Sequence, residues 1–132
     1  KVYTSDNIFK IYMNDVGLLA ELSSLSIADF LTDSFDRYKG MLTENYVAQA
    51  LRVKGKKLYY WRSQRNAELD FLLHKDGSII PVEVKASTNT KAQSLRVYRD
   101  KYNPEYSIKV SGKNFGYVNG IKSIPLYSVH LL

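Results

Sequence analysis

Two short segments, Glu68-Leu69-Asp70 and Glu83-Val84-Lys85, carry residue types that hold a metal ion when they are brought together. Paired carboxylates suit a hard divalent cation, and a neighbouring ammonium can hold a water or offset developing negative charge. The stretch between them supplies the means of bringing them together. AELDFLLH and SIIPVEVKAS read as two strands joined at Lys75-Asp76-Gly77-Ser78. Asp-Gly between apolar runs is the strongest short-range hairpin signal, because both central residues of a type I′ turn need positive φ. With Asp76 and Gly77 as the loop, Lys75 faces Ser78. Counting back then places Asp70 opposite Glu83 and Glu68 opposite Lys85.

Side chains alternate along a strand, so residues two apart point the same way. Glu68, Asp70, Glu83 and Lys85 are therefore expected on one face, with Leu69, Phe71, Val82 and Val84 on the other. Two carboxylates directly across an antiparallel pair lie roughly 4.5–5.5 Å apart at Cβ and repel. A divalent cation between them removes the repulsion, and Lys85 adds a compensating charge. The competing reading is plainer: Glu68 and Lys85 form a cross-strand ion pair, worth about a few tenths of a kcal/mol, on an exposed hairpin.

The elements that position these residues can be read along the chain. Ile8 to Met13 is compatible with a short strand, Asp15 to Leu22 with a short helix, and Ser26 with the N-cap of another through Leu31. Asp33 to Lys39 reads as a loop. From Gly40 to Val53, Leu42, Tyr46, Val47, Ala50 and Leu51 recur at helical spacing, and Gly55 stands where a C-terminal cap belongs. Glu44 borders that apolar stripe. Lys57 to Arg62 reads as an aromatic-rich strand leading into the hairpin. Ala92 to Tyr102 reads as a helix stopped before Pro104. Tyr106 to Val110, Phe115 to Val118 and Ile124 to Val129 read as three further short strands.

Composition sets outer limits. With 132 residues and 45% hydrophobic content, the chain can bury one core, and it reads as a single domain with no internal repeat. Nothing approaches the run of about 18 apolar residues that a membrane span needs. No signal peptide is visible, and the chain starts at Lys1, so a fragment of a longer protein is expected. Without cysteine, disulfides and thiolate metal sites are excluded, which fits a cytoplasmic setting. Only two histidines, His74 and His130, argue against a histidine-rich zinc centre. A net charge of +6 favours a polyanionic partner. Arg62 and Arg65 on one side of the hairpin, and Lys91, Arg96 and Arg99 on the other, are the candidate phosphate contacts. Ser111-Gly112-Lys113-Asn114 is too short for a nucleotide-binding phosphate loop and carries Asn where the metal-binding hydroxyl belongs. ATP hydrolysis by that route is excluded.

The order helix, strand, strand, strand, helix, strand, with Glu44 on the helix, then Asp70, then Glu83-Val84-Lys85, resembles the restriction-endonuclease-like superfamily. The segments KIYMNDVGLLAEL (10–22), GMLTENYVAQAL (40–51), LYYWRSQRNAELDFLL (58–73) and IPVEVKAS (80–87) look like one family in particular. It is the domain of unknown function at the C-terminus of many prokaryotic AAA+ family predicted ATPases. The resemblance implies an α/β fold with a restriction-endonuclease-like core, a central mixed sheet flanked by helices. It divides the single domain 1–132 into a lead-in over 1–35 and a nuclease-like core over 36–132, downstream of an ATPase module. In that superfamily the corresponding Asp and Glu bind Mg²⁺ (or Mn²⁺) and the Lys positions the attacking water. The roles carry to Asp70, Glu83 and Lys85, with Glu44 as a further ligand or supporting contact and the Val84 carbonyl on the metal.

Three functions follow from this reading. One is a metal-dependent nuclease acting on DNA, which needs Asp70, Glu83 and Lys85 together. Another is a non-catalytic nucleic-acid-binding or regulatory domain of the attached ATPase, which needs the basic surface alone. A third is a protein-interaction domain built on the exposed aromatics of a chain with 11 tyrosines. Homo-oligomerisation is compatible with all three.

Overall fold

The computed structural model of the chain describes residues 8–32, 36–64, 66–86 and 92–132. Its frame is one six-stranded mixed sheet in the order β1-β2-β3-β4-β6-β5, with helices on both faces. The strands are β1 (Tyr59–Arg62), β2 (Glu68–Lys75), β3 (Ser78–Val84), β4 (Ser107–Ser111), β5 (Gly116–Val118) and β6 (Ile121–Pro125). The pairs β1–β2, β2–β3 and β5–β6 are antiparallel, and β3–β4 and β4–β6 are parallel. The parallel step from β3 to β4 needs a crossover, which α3 (Gln93–Tyr102) provides.

Before the sheet come α1 (Val16–Leu22) and α2 (Asp36–Val53). Asp15 caps α1, its side chain accepting from the Leu18 N–H at 2.7 Å. Ser26 and Asp29 bond each other ahead of a 3-10 turn, Asp29–Leu31, whose N-cap is Ala28 rather than the expected Ser26. α2 begins at Asp36, inside the stretch expected as a loop, and buries Val47, Ala48 and Leu51 completely or nearly so. It ends where the sequence placed its stop. Gly55 takes φ +73°, its N–H bonds Arg52 O, and the Lys56 N–H reaches Leu51 O. These are the two bonds of a Schellman cap.

The core has two parts. Val47, Ala48 and Leu51 of α2 pack with Phe71, Leu73, Ile80, Val82, Val84, Ile108, Val110 and Val129 on one face. Leu95 and Tyr98 of α3 pack with Leu69, Trp61 and Leu72 on the other. The burial of both faces explains the near-continuous apolar run of β3, which sits inside the sheet.

Two expected strands are corrected. Residues 8–13 form no strand: they find no ladder partner among the described residues, and side chains satisfy part of their backbone instead. Tyr60 Oη donates to Ile8 O at 2.9 Å, and Asn45 bonds both the Met13 N–H (2.8 Å) and Met13 O (3.1 Å). The last run also divides differently. β6 spans Ile121–Pro125, and Leu126–Leu131 turns into 3-10 helix beyond the proline.

Candidate functional site

The hairpin forms in the register its turn dictates. Asp76 and Gly77 both take positive φ (50° and 80°), and the pairs run from Lys75↔Ser78 to Phe71↔Val82. There the strands part. In place of a further ladder bond, the Asp70 carboxylate reaches across and its Oδ2 accepts the Val84 N–H at 2.7 Å. An extended residue turns its N–H and C=O to the same edge, so the Val84 carbonyl faces this fork as well. Glu83 and Lys85 flank Val84 in sequence, and Lys85 Nζ meets Glu83 Oε1 at 2.5 Å.

A β-bulge accounts for the parting. Tyr59 pairs with Leu72 but Trp61 pairs with Leu69, so Asp70 and Phe71 stand together against Tyr60. An extra residue in one strand reverses the alternation beyond it, and such bulges often lie beside active sites. Phe71 therefore packs on the α2 face while Leu69 packs on the α3 face. The expectation that Leu69 shares a face with Phe71, Val82 and Val84 is thereby corrected. So is the cross-strand ion pair between Glu68 and Lys85. The bulge turns Glu68 to the α2 side, where it bonds Lys10, and Lys85 is held by Glu83.

Lys10 sits at the centre of the acidic group. Its Nζ lies 2.9 Å from Glu44 Oε1, 2.6 Å from Glu68 Oε1 and 3.9 Å from Asp70 Oδ1, and its side chain is 21% exposed. Tyr12 Oη donates to the same Glu44 Oε1 at 2.7 Å, and its ring lies 5.7 Å from that of Phe71. Sequence reasoning gave Lys10 and Tyr12 no role. They reach the site across more than 30 positions of chain, and no local period marks such a contact.

The electrostatics are those of a site short of positive charge. Among the described residues, Glu44, Glu68 and Asp70 share the Lys10 ammonium, and Glu83 holds that of Lys85. Burial, opposed by the Val84 N–H and reinforced by Glu44 and Glu83, pushes the Asp70 carboxyl up to about 7. Burial also pushes Glu83 up against the pull of Lys85, while Tyr12 is driven upward by burial and by Glu44. Lys10 stays above its ordinary value: burial pulls it down, but its bonds to Glu68 and Glu44 outweigh that.

A divalent cation fits this donor set. Glu83 is 4% exposed at its side chain, and its Oε2 is buried without a hydrogen-bond partner among the described residues. A buried carboxylate oxygen with no donor is costly unless a cation meets it. Among the described residues no three Asp, Glu, His or Cys side chains already converge at metal-holding distances. Mg²⁺ asks for less than that, since it binds through one or two carboxylates and keeps several waters. An open groove of about 1140 Å³ runs from Asp70 past Lys10, Tyr60 and Trp61 to Arg62, leaving room for a ligand beside Asp70.

The basic candidates are more scattered. Arg62 is exposed at the end of edge strand β1, 3.4 Å from Asn66 Oδ1. Arg96 is exposed on α3. Arg99 lies over Gly120 (φ +74°), where a Cβ would come within 2.7 Å of its Nη2, so it packs on the β5–β6 turn. Arg65 and Lys91 lie outside the described residues. No helix among the described residues is long and apolar enough to cross a membrane.

Comparison with known proteins adds kinship without a function. Two uncharacterized proteins, Rv2008c of Mycobacterium tuberculosis and Mb2031c of Mycobacterium bovis, are each 37% identical to the chain over 90 residues. That stretch is 66% of this chain and 20% of each relative, so the chain matches about a fifth of their length. No solved structure matches the chain. A family model described as "Domain of unknown function (DUF4143)" matches residues 39–129. This span carries Glu44, Asp70, Glu83, Val84 and Lys85 but not Lys10 or Tyr12, and it extends over more than half of the sequence. The chain belongs to the DUF4143 family of domains of unknown function.

Proposed function

We propose that this domain is a restriction-endonuclease-like, metal-dependent nuclease that hydrolyses phosphodiester bonds in DNA. The observation that carries the reading is the fork between β2 and β3. There the Asp70 carboxylate takes the Val84 N–H, and the buried Glu83 Oε2 stands two residues before Lys85 with no donor among the described residues. Asp70, Glu83 and the Val84 carbonyl would hold Mg²⁺ or Mn²⁺, with Glu44 behind them. When bound, the metal supplies a lowered pKa for a coordinated water and polarisation of the scissile phosphate.

The chain's own groups do the rest. Lys85, held 2.5 Å from Glu83, keeps an ammonium beside the reacting phosphate, where it can orient a water and offset negative charge. Asp70 is fixed by its bond from the Val84 N–H, so it arrives pre-oriented. Arg62 at one end of the groove and Arg96 on α3 grip flanking phosphates, with Arg65, Lys91 and Arg99 as further candidates. The relatives are about five times as long as the matched stretch, and by the family resemblance alone the proposal includes an AAA+ ATPase module in the same cytoplasmic polypeptide.

The second reading is a non-catalytic nucleic-acid-binding or regulatory domain. One observation favours it: Lys10 already brings a positive charge to the carboxylates. Cleavage assays separate the two. The chain is incubated with supercoiled plasmid, linear duplex and single-stranded circular DNA, with Mg²⁺, Mn²⁺ or chelator. The nuclease reading expects metal-dependent cleavage of at least one substrate, reduced at least ~100-fold in Asp70→Ala and in Lys85→Ala. Salt-sensitive DNA binding without cleavage, indifferent to metal, overturns it in favour of the second reading.

A further inference from the structure

The ammonium of Lys10 has a setting that an ordinary surface ion pair lacks. It comes from a stretch of chain, residues 8–13, with no regular structure, and it reaches three carboxylates of two other elements. Two of the three, Glu44 and Asp70, belong to the proposed metal site. The stretch is tied down at both ends: Tyr60 Oη holds Ile8 O, and Asn45 holds Met13 through both its backbone groups. Between the ties, Tyr12 packs on Phe71 and bonds the same Glu44 oxygen that Lys10 bonds. Ile8, Phe9 and Ile11 are exposed. Polar contacts and one ring therefore do most of the holding, and the strap buries little apolar surface.

Two cations cannot share these carboxylates at full strength. A divalent ion drawing Asp70 and Glu44 lowers the negative potential that retains Lys10, and Lys10 lowers the potential that retains the ion. We propose that residues 8–13 act as a strap that delivers Lys10 as a built-in counter-ion, so that metal loading and strap seating oppose each other. The inference rests on the nuclease reading, because it needs the metal site. It adds a gate to that site: loading favours a lifted strap, and anything that holds the strap down keeps the site poor in metal. Coupling is reciprocal, so metal must loosen Lys10 by the same factor that Lys10 weakens metal.

The experiment is calorimetric titration of Mn²⁺ into the wild-type chain and into Lys10→Met, which keeps an apolar stem and removes the charge. A second readout uses the wild type alone: modification of lysine amines by a water-soluble acylating reagent, mapped by mass spectrometry with and without Mn²⁺. Binding at least ~10-fold tighter in Lys10→Met, within the usual range of coupling between sites, and a Lys10 amine that gains reactivity with Mn²⁺ would bear the strap out. Equal or weaker binding in Lys10→Met, or a Lys10 amine as protected with Mn²⁺ as without, overturns it while leaving the metal site standing. No Mn²⁺ binding in either protein overturns both the site and its gate.

Discussion

Asp70→Asn should make the metal-free protein more stable at pH 8, although it removes a residue the proposed chemistry needs. The carboxyl of Asp70 is pushed up to about 7 from 3.8, with burial the largest cause. In the folded state the neutral form is thus favoured, and between those two values the folded chain holds more proton than the unfolded chain. Stability linked to this group is therefore fully present below about pH 4 and is lost as pH rises through about 7. A rise from 3.8 to about 7 corresponds to about 4 kcal/mol at most. The side chain is 18% exposed, and solvent access trims the figure to about 2–4 kcal/mol. Asparagine keeps an oxygen to accept the Val84 N–H and never ionises, so it escapes the loss. The assay is urea unfolding of both proteins in chelator from pH 4.5 to pH 8.5. The stability difference should open in favour of Asp70→Asn as pH rises and level off above about 8. A difference that stays flat with pH, or opens in favour of the wild type, refutes the reasoning.

Other expectations concern the frame and the surface. Leu51 is wholly buried where α2 meets the sheet, so Leu51→Ala should cost about 2–5 kcal/mol, read from the denaturant midpoint. Gly77 holds φ +80° in the hairpin turn, and Gly77→Ala should cost roughly 1–2 kcal/mol through backbone strain alone; an unchanged midpoint would contradict the turn. If Arg62 grips a phosphate, Arg62→Ala should weaken DNA binding across sequences and flatten the log-affinity against log-salt slope by about 1, measured by fluorescence anisotropy.

What the sequence disclosed was local chemistry, and what it hid was long-range. Asp76-Gly77 fixed the hairpin register because the turn admits one geometry, and Gly55 marked the end of α2 because its positive φ suits a Schellman cap. The fork at Asp70 was less legible. Its bulge falls within a run of apolar and acidic residues with no glycine to mark it, so the alternation carried past Asp70 misassigned Leu69 and paired Glu68 with the wrong lysine. Lys10 and Tyr12 stand in a segment that carries the family likeness, yet their partners Glu44 and Glu68 lie 32 or more positions away. The final strand was displaced because Leu126 to Val129 is apolar enough for a strand, but beyond Pro125 it turns into 3-10 helix instead.

The central claim is that Asp70 and Glu83 form a cation site at the β2–β3 fork. Its most direct test is Mn²⁺ titration at pH 8 by calorimetry, comparing the wild type with Asp70→Asn. The account predicts saturable binding in the wild type that is lost in the variant, which remains folded and more stable without metal. Saturable binding of equal strength in both proteins, or none in the wild type even with DNA present, would contradict it.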